Sequence, residues 1–352
     1  HVTIKDLTIK NFKNGIYSDD TDGLTVSGVT IDSASSYAMY ILGWNPSIVT
    51  PTDITGNTVK NSDTGIRLFD IKSDVGSCTS GTIDVFVQSN TIQNIGNTGI
   101  GLSNSDGACV QNNTIDDSSN SIAVSNVSHD VQIVNNVITD SESAALYLQG
   151  AERVYIKGNT MTGDGGGFIR DEQNSHDFQI YDNSFQGMTC NNSDNGRIVG
   201  NTISDYDRAG SAAIFLSYCD HVVVDDNTIT DNTMGIRTGN QMSAGVNGTF
   251  TSNTITNNDW LGMYISGSDH VVSNNIANNN GGTSSASASP SYSGIIIYDA
   301  SNITVTGNTA NNNNQCGIYV SNSGHTVSGN TATGNNPSGN FGQNIIGGDL
   351  CG

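Results

Sequence analysis

The sequence predicts an all-β protein, a right-handed single-stranded parallel β-helix of about 12–13 coils. A phrase that ends in Asn, followed by Thr and a branched aliphatic residue, recurs mostly at spacings of 22 to 26 residues. A second phrase, Gly followed by apolar–x–apolar, recurs between copies of the first. Helical periodicity is absent. Three short strands per repeat, with one Asn at a fixed corner, predict coils that stack at about 4.8 Å.

The recurring Asn is expected to build one corner of every coil. Its short amide tolerates a left-handed backbone conformation, and stacked amides can hydrogen-bond from coil to coil. We therefore expect an asparagine ladder along the solenoid. Its predicted members are Asn57, Asn90, Asn113, Asn136, Asn159, Asn183, Asn201, Asn227, Asn253, Asn275, Asn308 and Asn330.

The Gly phrase marks the third strand of each coil, and these strands are expected to form one parallel sheet. Each strand spans only about 3–5 residues with period-2 alternation, which is too short and isolated for a sandwich of hairpins. The clearest copies begin at Gly15, Gly65, Gly99, Gly235, Gly262, Gly294 and Gly317.

Charge and composition exclude several classes of protein. The chain has 352 residues with 12 basic and 33 acidic side chains, so its formal net charge is 12 − 33 = −21. Nucleic-acid binding is not expected, because it depends on Lys and Arg contacts with phosphate. No apolar run approaches the roughly 20 residues that a membrane-spanning helix needs. We expect one domain over residues 1–352, as part of a longer exported protein.

The six Cys form no C-x-x-C pair, which argues against a zinc or thioredoxin-like site. Coil register favours bridges between neighbouring coils, and such bridges would indicate a secreted or cell-surface protein. The alternative is six buried free thiols in a cytosolic protein. The predicted pairs are Cys78 with Cys109, Cys190 with Cys219, and Cys316 with Cys351.

Alternation places the second residue after each strand Gly on the outer face of the sheet. Aromatic rings at coil spacing can stack on sugar rings, whose repeat along a chain is similar. Tyr is also simply a good strand residue, so an ordinary sheet surface is the alternative. The outward column runs through Tyr17, Tyr40, Arg67, Gly101, Ala123, Tyr147, Ile169 or Arg170, Thr189, Phe215, Arg237, Tyr264, Ile296 and Tyr319. The predicted glycan-binding residues are Tyr40, Arg67, Tyr147, Phe215, Tyr264 and Tyr319.

Insertions at 43–53, 70–83, 204–212, 239–248 and 281–293 lie beside the outward column and predict a shallow groove. Paired carboxylates in a groove can act as general acid and base, and an Arg can neutralise a uronate. Acidic turn residues also keep a protein soluble, which is the alternative. The catalytic candidates, if the protein is an enzyme, are Asp171, Glu172, Asp205, Asp207, Arg208 and Arg237.

The histidines recur just before the first strand of a coil, so we expect a structural role at a turn. They are His129, His176, His221, His270 and His325.

The repeat resembles that of parallel β-helix proteins of the carbohydrate-binding and sugar-hydrolase type, from Val2 to about Thr333. Among enzymes of this fold, mannuronan epimerases carry the phrase Tyr-Gly-Phe-Asp-Pro-His. Aligning residues 167–172 with it places Gly167, Arg170 and Glu172 at the Tyr, Asp and His, so every catalytic position departs. The resemblance implies the fold and leaves the activity open.

Two hypotheses on function follow. The first is a non-catalytic surface module, either a glycan-binding rod or a structural element that meets copies of itself or neighbouring domains through its coil ends. The second is a polysaccharide-active lyase, hydrolase or epimerase that uses the groove. No cofactor and no metal site are predicted, although acidic turns such as Asp19, Asp20 and Asp22 could hold Ca²⁺.

Overall fold

A computed structural model describes residues 1–21, 23–43, 52–73, 78, 85–163, 167–207, 210–239, 243–282, 292–321 and 323–335. Within these residues every regular element is a β-strand, and no helix is long and apolar enough to cross a bilayer. The chain divides into two compact units, His1–Phe185 and Gln186–Gly352, which are described separately.

The first unit consists of parallel strands that pair from coil to coil. The strands are β1 Val2–Lys5, β2 Thr8–Lys10, β3 Asn14–Asp19, β4 Leu24–Ser27, β5 Thr30–Asp32, β6 Tyr37–Leu42, β7 Thr52–Thr55, β8 Thr58–Ser62, β9 Thr64–Phe69, β10 Val85–Gln88, β11 Thr91–Ser103, β12 Cys109–Gln111, β13 Thr114–Ser125, β14 Gln132–Val134, β15 Val137–Gln149, β16 Tyr155–Lys157, β17 Thr160–Thr162, β18 Phe168–Glu172, β19 Gln179–Tyr181 and β20 Ser184–Phe185. Its first sheet contains eight of these strands, one for each coil: β1, β4, β7, β10, β12, β14, β16 and β19.

In three coils of the first unit, the second and third strands merge. β11, β13 and β15 each run without interruption through the bend that elsewhere separates two strands. The register between them shifts at this bend, between Ile95 and Thr98 and between Ser118 and Asn120. The third face nevertheless keeps its pairing, with Ile100 opposite Ile122. Coils of different length therefore present one continuous outer face within this unit.

The second unit has the same organisation. Its strands are β21 Gly187–Asn191, β22 Arg197–Val199, β23 Thr202–Ser204, β24 Ile214–Ser217, β25 Val223–Asp225, β26 Thr228–Thr230, β27 Ile236–Thr238, β28 Thr249–Thr251, β29 Thr254–Thr256, β30 Met263–Ser268, β31 Val271–Ser273, β32 Ile276–Asn278, β33 Ile295–Ser301, β34 Thr304–Thr306, β35 Ile318–Val320 and β36 Thr326–Ser328. Its first sheet contains six of them, β22, β25, β28, β31, β34 and β36. The stacked coils of both units confirm the solenoid that the repeat predicts.

The predicted asparagine ladder is confirmed within each unit. In the first unit the side chain of Asn113 donates from Nδ2 to Asn136 Oδ1 at 2.9 Å and to the Val87 carbonyl at 2.9 Å. The Asn113 backbone N–H donates to the same Asn136 oxygen at 3.0 Å. In the second unit Asn227 and Asn253 repeat the arrangement. Each ladder amide thus satisfies buried backbone groups of its neighbours.

The expected reason for Asn at this corner is wrong in one respect. The left-handed residue is the one before the ladder position, as at Asn112 (φ 55°), Asn135 (φ 55°) and Asp182 (φ 54°). Gly takes this place in other coils, for example Gly158 (φ 67°), because it adopts positive φ without a steric penalty. The ladder Asn itself does not have positive φ, so its hydrogen bonds explain why Asn occupies this position.

A second ladder, which the sequence analysis missed, follows the second strand in the second unit. Asn232 Nδ2 donates to Asn258 Oδ1 at 3.2 Å, and Asn258 Nδ2 donates to Asn280 Oδ1 at 2.9 Å. Asn280 and Asn313 continue the series at 3.1 Å. At the corresponding bend of the first unit, serine hydroxyls bond to each other instead, Ser121 to Ser141 at 2.6 Å.

Two of the three predicted disulfides are confirmed, each between neighbouring coils. Cys78 bonds to Cys109 with 5.6 Å between Cα atoms, and Cys190 bonds to Cys219 with 6.5 Å. Cys316 is also disulfide-bonded, and its predicted partner, Cys351, lies outside the described residues. No cysteine in the described part of the chain is free.

Candidate functional site

The outward column of the first unit lies in one row of strand partners. The structure pairs Tyr17 with Tyr40, Tyr40 with Arg67, and Arg67 with Gly101. The row continues through Ala123 and Tyr147 to Arg170. Arg170, rather than Ile169, is the outward residue of its strand, because Ile169 pairs with the buried Leu146. We call these residues the first row.

One end of the first row is aromatic. The rings of Tyr37 and Tyr40 stack with centroids 4.9 Å apart, and the Tyr17 ring lies 5.6 Å from that of Tyr40. Tyr17 is 54% exposed, so its face is open to solvent. Partial burial, with the nearby Tyr37 phenol, raises the pKa of Tyr40 above its ordinary value, although Arg67 acts in the opposite direction. This end of the row offers neutral aromatic faces.

Arg67 lies beside this aromatic end and extends over the next coil. A Cβ atom built on Gly101 would come within 3.0 Å of an Arg67 guanidinium nitrogen and 3.1 Å of its Cδ. Gly at position 101 therefore provides the space that the Arg67 side chain occupies. Ala123, the next member of the row, is 7% exposed. No large side chain of the row therefore projects between Arg67 and Tyr147.

The other end of the first row combines a ring with an ion pair. The Arg170 guanidinium carbon lies 5.7 Å from the centroid of the Tyr147 ring. Arg170 Nε also donates to Glu172 Oε1 at 2.7 Å, so its charge is neutralised within its own strand. Burial and the Glu172 carboxylate raise the pKa of Tyr147, while Arg170 lowers it. Two predicted site residues, Tyr147 and Glu172, thus share one arginine.

The second row, in the second unit, pairs Phe215 with Arg237 and Arg237 with Tyr264. Thr189 precedes these residues, and Ile296 and Tyr319 follow them. The guanidinium carbon of Arg237 lies 5.6 Å from the Phe215 ring centroid and 5.8 Å from that of Tyr264. Two aromatic rings therefore hold the cation between them, an arrangement stabilised by the negative faces of the rings.

The aromatic residues of the second row also pack against a buried apolar cluster. Phe215, Tyr264 and Tyr319 cover the buried side chains of Ala212, Met234, Leu261 and Ile296. The sequence analysis expected Phe215 and Tyr264 to lie on the outer face, exposed to solvent. In the structure, each of them is also packed against this cluster. Their replacement by Ala would open a void as well as remove a binding surface.

Two residues beside the second row were missed by the sequence analysis. The Tyr298 ring lies 6.3 Å from that of Tyr264, and Tyr298 is 47% exposed. Asp299 follows it at φ 55°. Burial raises the pKa of Tyr264, Arg237 lowers it, and the Asp299 carboxylate raises it again. Strand alternation could have predicted Tyr298. It lies two residues after the row position Ile296, and the residue between them, Ile297, is buried.

A small open pocket of about 250 Å³ lies at the end of the same strands. Its lining is mostly backbone and small side chains, with Asp299 as its charged member. The pocket coincides with an irregularity of strand register between Ile265 and Gly267. Asp299, one of its lining residues, follows Tyr298 directly in the chain. The lining residues are Ala244, Val246, Gly267, Ser268, Asp299, Ala300 and Ser301.

The structure does not bring all catalytic candidates to a groove. Asp171 is 0% exposed and pairs with the buried Leu148, so it lies on the core side of its strand, contrary to expectation. Strand alternation explains this, since the neighbouring Arg170 points outward. Asp205 and Asp207 are exposed, with Ser204 donating to Asp205 Oδ2 at 2.8 Å. Arg208 and parts of all five insertions lie outside the described residues.

The histidines lie at the corner before the first strand and bond to neighbouring coils. His129 Nδ1 lies 3.1 Å from Asp106 Oδ1, and Lys72 Nζ lies 2.8 Å from Asp106 Oδ2. Partial burial acts to raise the pKa of Asp106, but the bonds from Lys72 and His129 outweigh it and hold that pKa below its ordinary value. His270 Nδ1 accepts the Gly248 N–H at 2.8 Å. These contacts join coils.

Parallel strands in register from coil to coil, with asparagine ladders at the corners, define a β-solenoid. The chain belongs to the right-handed β-helix family, because the model of a right handed beta helix region matches residues 1–161 and 75–186. A second model, periplasmic copper-binding protein (NosD), matches residues 186–346. A comparison with curated proteins gives no match.

The described residues of the second match do not fit a copper site. Across the described part of the chain, no three His, Cys, Asp or Glu side chains come together as metal ligands. Cys190, Cys219 and Cys316 are in disulfides, and His270 uses Nδ1 and Nε2 in bonds to Gly248 and Ser266. A copper site needs free thiolates, imidazoles or thioethers that converge.

Solved structures with similar folds include both enzymes and an adhesin. The A-module of mannuronan C-5 epimerase AlgE4 from Azotobacter vinelandii is 14% identical, with 89% of this chain and 88% of that chain covered and a TM-score of 0.52. PfbA, a surface adhesin of Streptococcus pneumoniae, is 14% identical, with 93% and 83% covered and a TM-score of 0.51. At these identities the similarity shows the fold alone.

Proposed function

We propose that the protein is an exported β-helix module that binds glycan chains along the two outward rows. The observation that carries the proposal is the second row, where Arg237 is held between the rings of Phe215 and Tyr264. Rings fixed in this way lose little conformational freedom when a ligand binds, so their contact area contributes to affinity.

The geometry of the rows suits a chain of sugar rings. Successive row residues are strand partners, so they stand about 4.8 Å apart or at multiples of that distance. Aromatic faces pack against the C–H faces of sugars, and arginine can donate several hydrogen bonds to oxygen. Each row contains both kinds of group: Tyr17, Tyr40 and Arg67 in the first, Phe215, Arg237 and Tyr264 in the second.

Location outside the cytoplasm is part of the proposal. Disulfides persist in oxidising compartments, and Cys78–Cys109 and Cys190–Cys219 are both formed. The periplasmic family model matched by residues 186–346 supports the same location. An extracellular or periplasmic setting would bring the rows into contact with polysaccharides.

The enzyme alternative rests on fewer groups than the sequence analysis assumed. Asp171 is buried, and Glu172 is paired with Arg170. In the second unit, the exposed Asp205 and Asp207 are the carboxylates left from the predicted set, and Thr233 Oγ1 donates to Asp207 Oδ1 at 3.4 Å. Proteins of this fold include epimerases as well as an adhesin, so product release is measured together with binding.

The test is a panel of neutral and acidic polysaccharides, assayed for retardation in affinity electrophoresis and for released product. We expect retardation without product.

Tyr17→Ala should weaken binding about threefold to tenfold, because it removes one stacking face without opening the core. Tyr181→Ala is the matched control, since Tyr181 pairs with Tyr155 at 5.8 Å on the first sheet, away from the row. Product formation that disappears in Asp207→Asn would favour the enzyme, and no retardation by any polymer would refute the proposal.

A further inference from the structure

The arginines of the two rows differ in one respect: Arg170 is neutralised, but Arg67 and Arg237 are not. Glu172 lies 2.7 Å from Arg170. Within the described residues, Arg67 and Arg237 have no hydrogen bond or ion pair. Such unpaired cations are notable in a chain with 33 acidic and 12 basic side chains.

Within the described residues, the immediate neighbours of both arginines in the row and along the strand are uncharged. Their partners in the row are uncharged, Tyr40 and Gly101 for Arg67, Phe215 and Tyr264 for Arg237. Along the strand, the outward positions on either side are also uncharged. These positions are Gly65 and Phe69 beside Arg67, and Gly235 and Gly239 beside Arg237.

We propose that Arg67 and Arg237 bind the acidic groups of an anionic glycan, that is, the carboxylate or sulfate of a sugar residue that stacks beside them. This inference rests on the proposed glycan binding and names its substrate class. A guanidinium presents a planar fork that matches a carboxylate or sulfate with two parallel hydrogen bonds. Arg237 is positioned before the ligand binds by the rings on either side of it, and Arg67 lies over Gly101, where no side chain displaces it.

The net charge of −21 opposes this binding only at long range. Repulsion between separated charges is screened beyond about 8 Å at physiological ionic strength, whereas a contact between Arg and carboxylate is screened much less. We therefore expect affinity for an acidic polymer to rise from very low salt to about 0.15 M and to fall at about 1 M.

The experiment compares matched polymers: a polyuronate with its carboxyl-reduced form, and a sulfated galactan with its desulfated form. We expect the protein to bind the charged member of at least one pair about tenfold more tightly. The pair that shows the preference identifies carboxylate or sulfate as the recognised group. The double variant Arg67→Gln with Arg237→Gln should bind the charged and the neutral member of that pair equally, and thermal unfolding confirms that it folds.

Arg153→Gln is the control, because Arg153 pairs with Asp130 at 2.7 Å and lies in neither row. It should keep the preference, and Arg237→Lys should keep part of it because the charge remains. Equal binding of charged and neutral members, or a preference that survives in the double variant, would overturn this inference but leave glycan binding intact. Absence of binding to all four polymers would overturn both proposals.

Discussion

Replacing Asn136 with Ala should lower the free energy of unfolding by about 3 to 5 kcal/mol. Asn136 is 0% exposed, and its Oδ1 accepts two hydrogen bonds from Asn113, from the backbone N–H at 3.0 Å and from Nδ2 at 2.9 Å. Its own Nδ2 donates to the Val110 carbonyl at 3.0 Å and to Asn159 at 2.9 Å. Ala would remove these four hydrogen bonds and leave the Asn113 backbone N–H buried without its acceptor. Chemical denaturation followed by circular dichroism measures the change.

The neighbouring residue provides the control. Asn135 is exposed and left-handed at φ 55°, so Asn135→Gly keeps the backbone conformation that the corner requires. It should change stability by less than about 0.5 kcal/mol. If Asn136→Ala changed the free energy of unfolding as little as Asn135→Gly, the ladder amides would not stabilise the coils.

Removing the Cys190–Cys219 disulfide should cost about 2 to 4 kcal/mol. The bond joins residues 29 positions apart in neighbouring coils, so it restricts the unfolded chain over a long loop. The double variant Cys190→Ala with Cys219→Ala should therefore unfold at lower denaturant concentration. Adding a reductant should destabilise the wild type further than the variant, because the variant has one bond fewer to lose. A variant as stable as the oxidised wild type would contradict this account.

The fold was predictable because it is repeated in the sequence. The Asn at positions such as 113 and 136 marks one corner, and the Gly at 235 and 262 marks the third strand, so every coil adds evidence for the same register. The second ladder, exemplified by Asn258, was missed because Asn is so frequent in the turns that its second period did not stand out. The left-handed residue before each ladder Asn varies between Asn, Asp, Ser and Gly, so it leaves no single-letter signal.

The candidate site was predictable in part. Alternation along a strand placed Tyr40, Arg67 and Arg237 on the outer face, and coil spacing placed them in rows. The contacts that a side chain makes within a row depend on its rotamer, and strand alternation does not give the rotamer. Arg170 turns to Glu172 within its strand, whereas Arg237 lies between rings. Function was less accessible still, because one β-helix scaffold carries sites of many kinds.

The central claim, that the outward rows bind glycan, is tested most directly by tyrosine nitration footprinting with the polysaccharide that binds most tightly in the panel. Tyr17 and Tyr298 are 54% and 47% exposed, so both should react in the free protein. The account predicts that bound polysaccharide protects Tyr17 or Tyr298 from nitration, while Tyr155 and Tyr181 on the first sheet keep their reactivity. Unchanged nitration of Tyr17 and Tyr298 in the complex, or protection confined to Tyr155 and Tyr181, would contradict it.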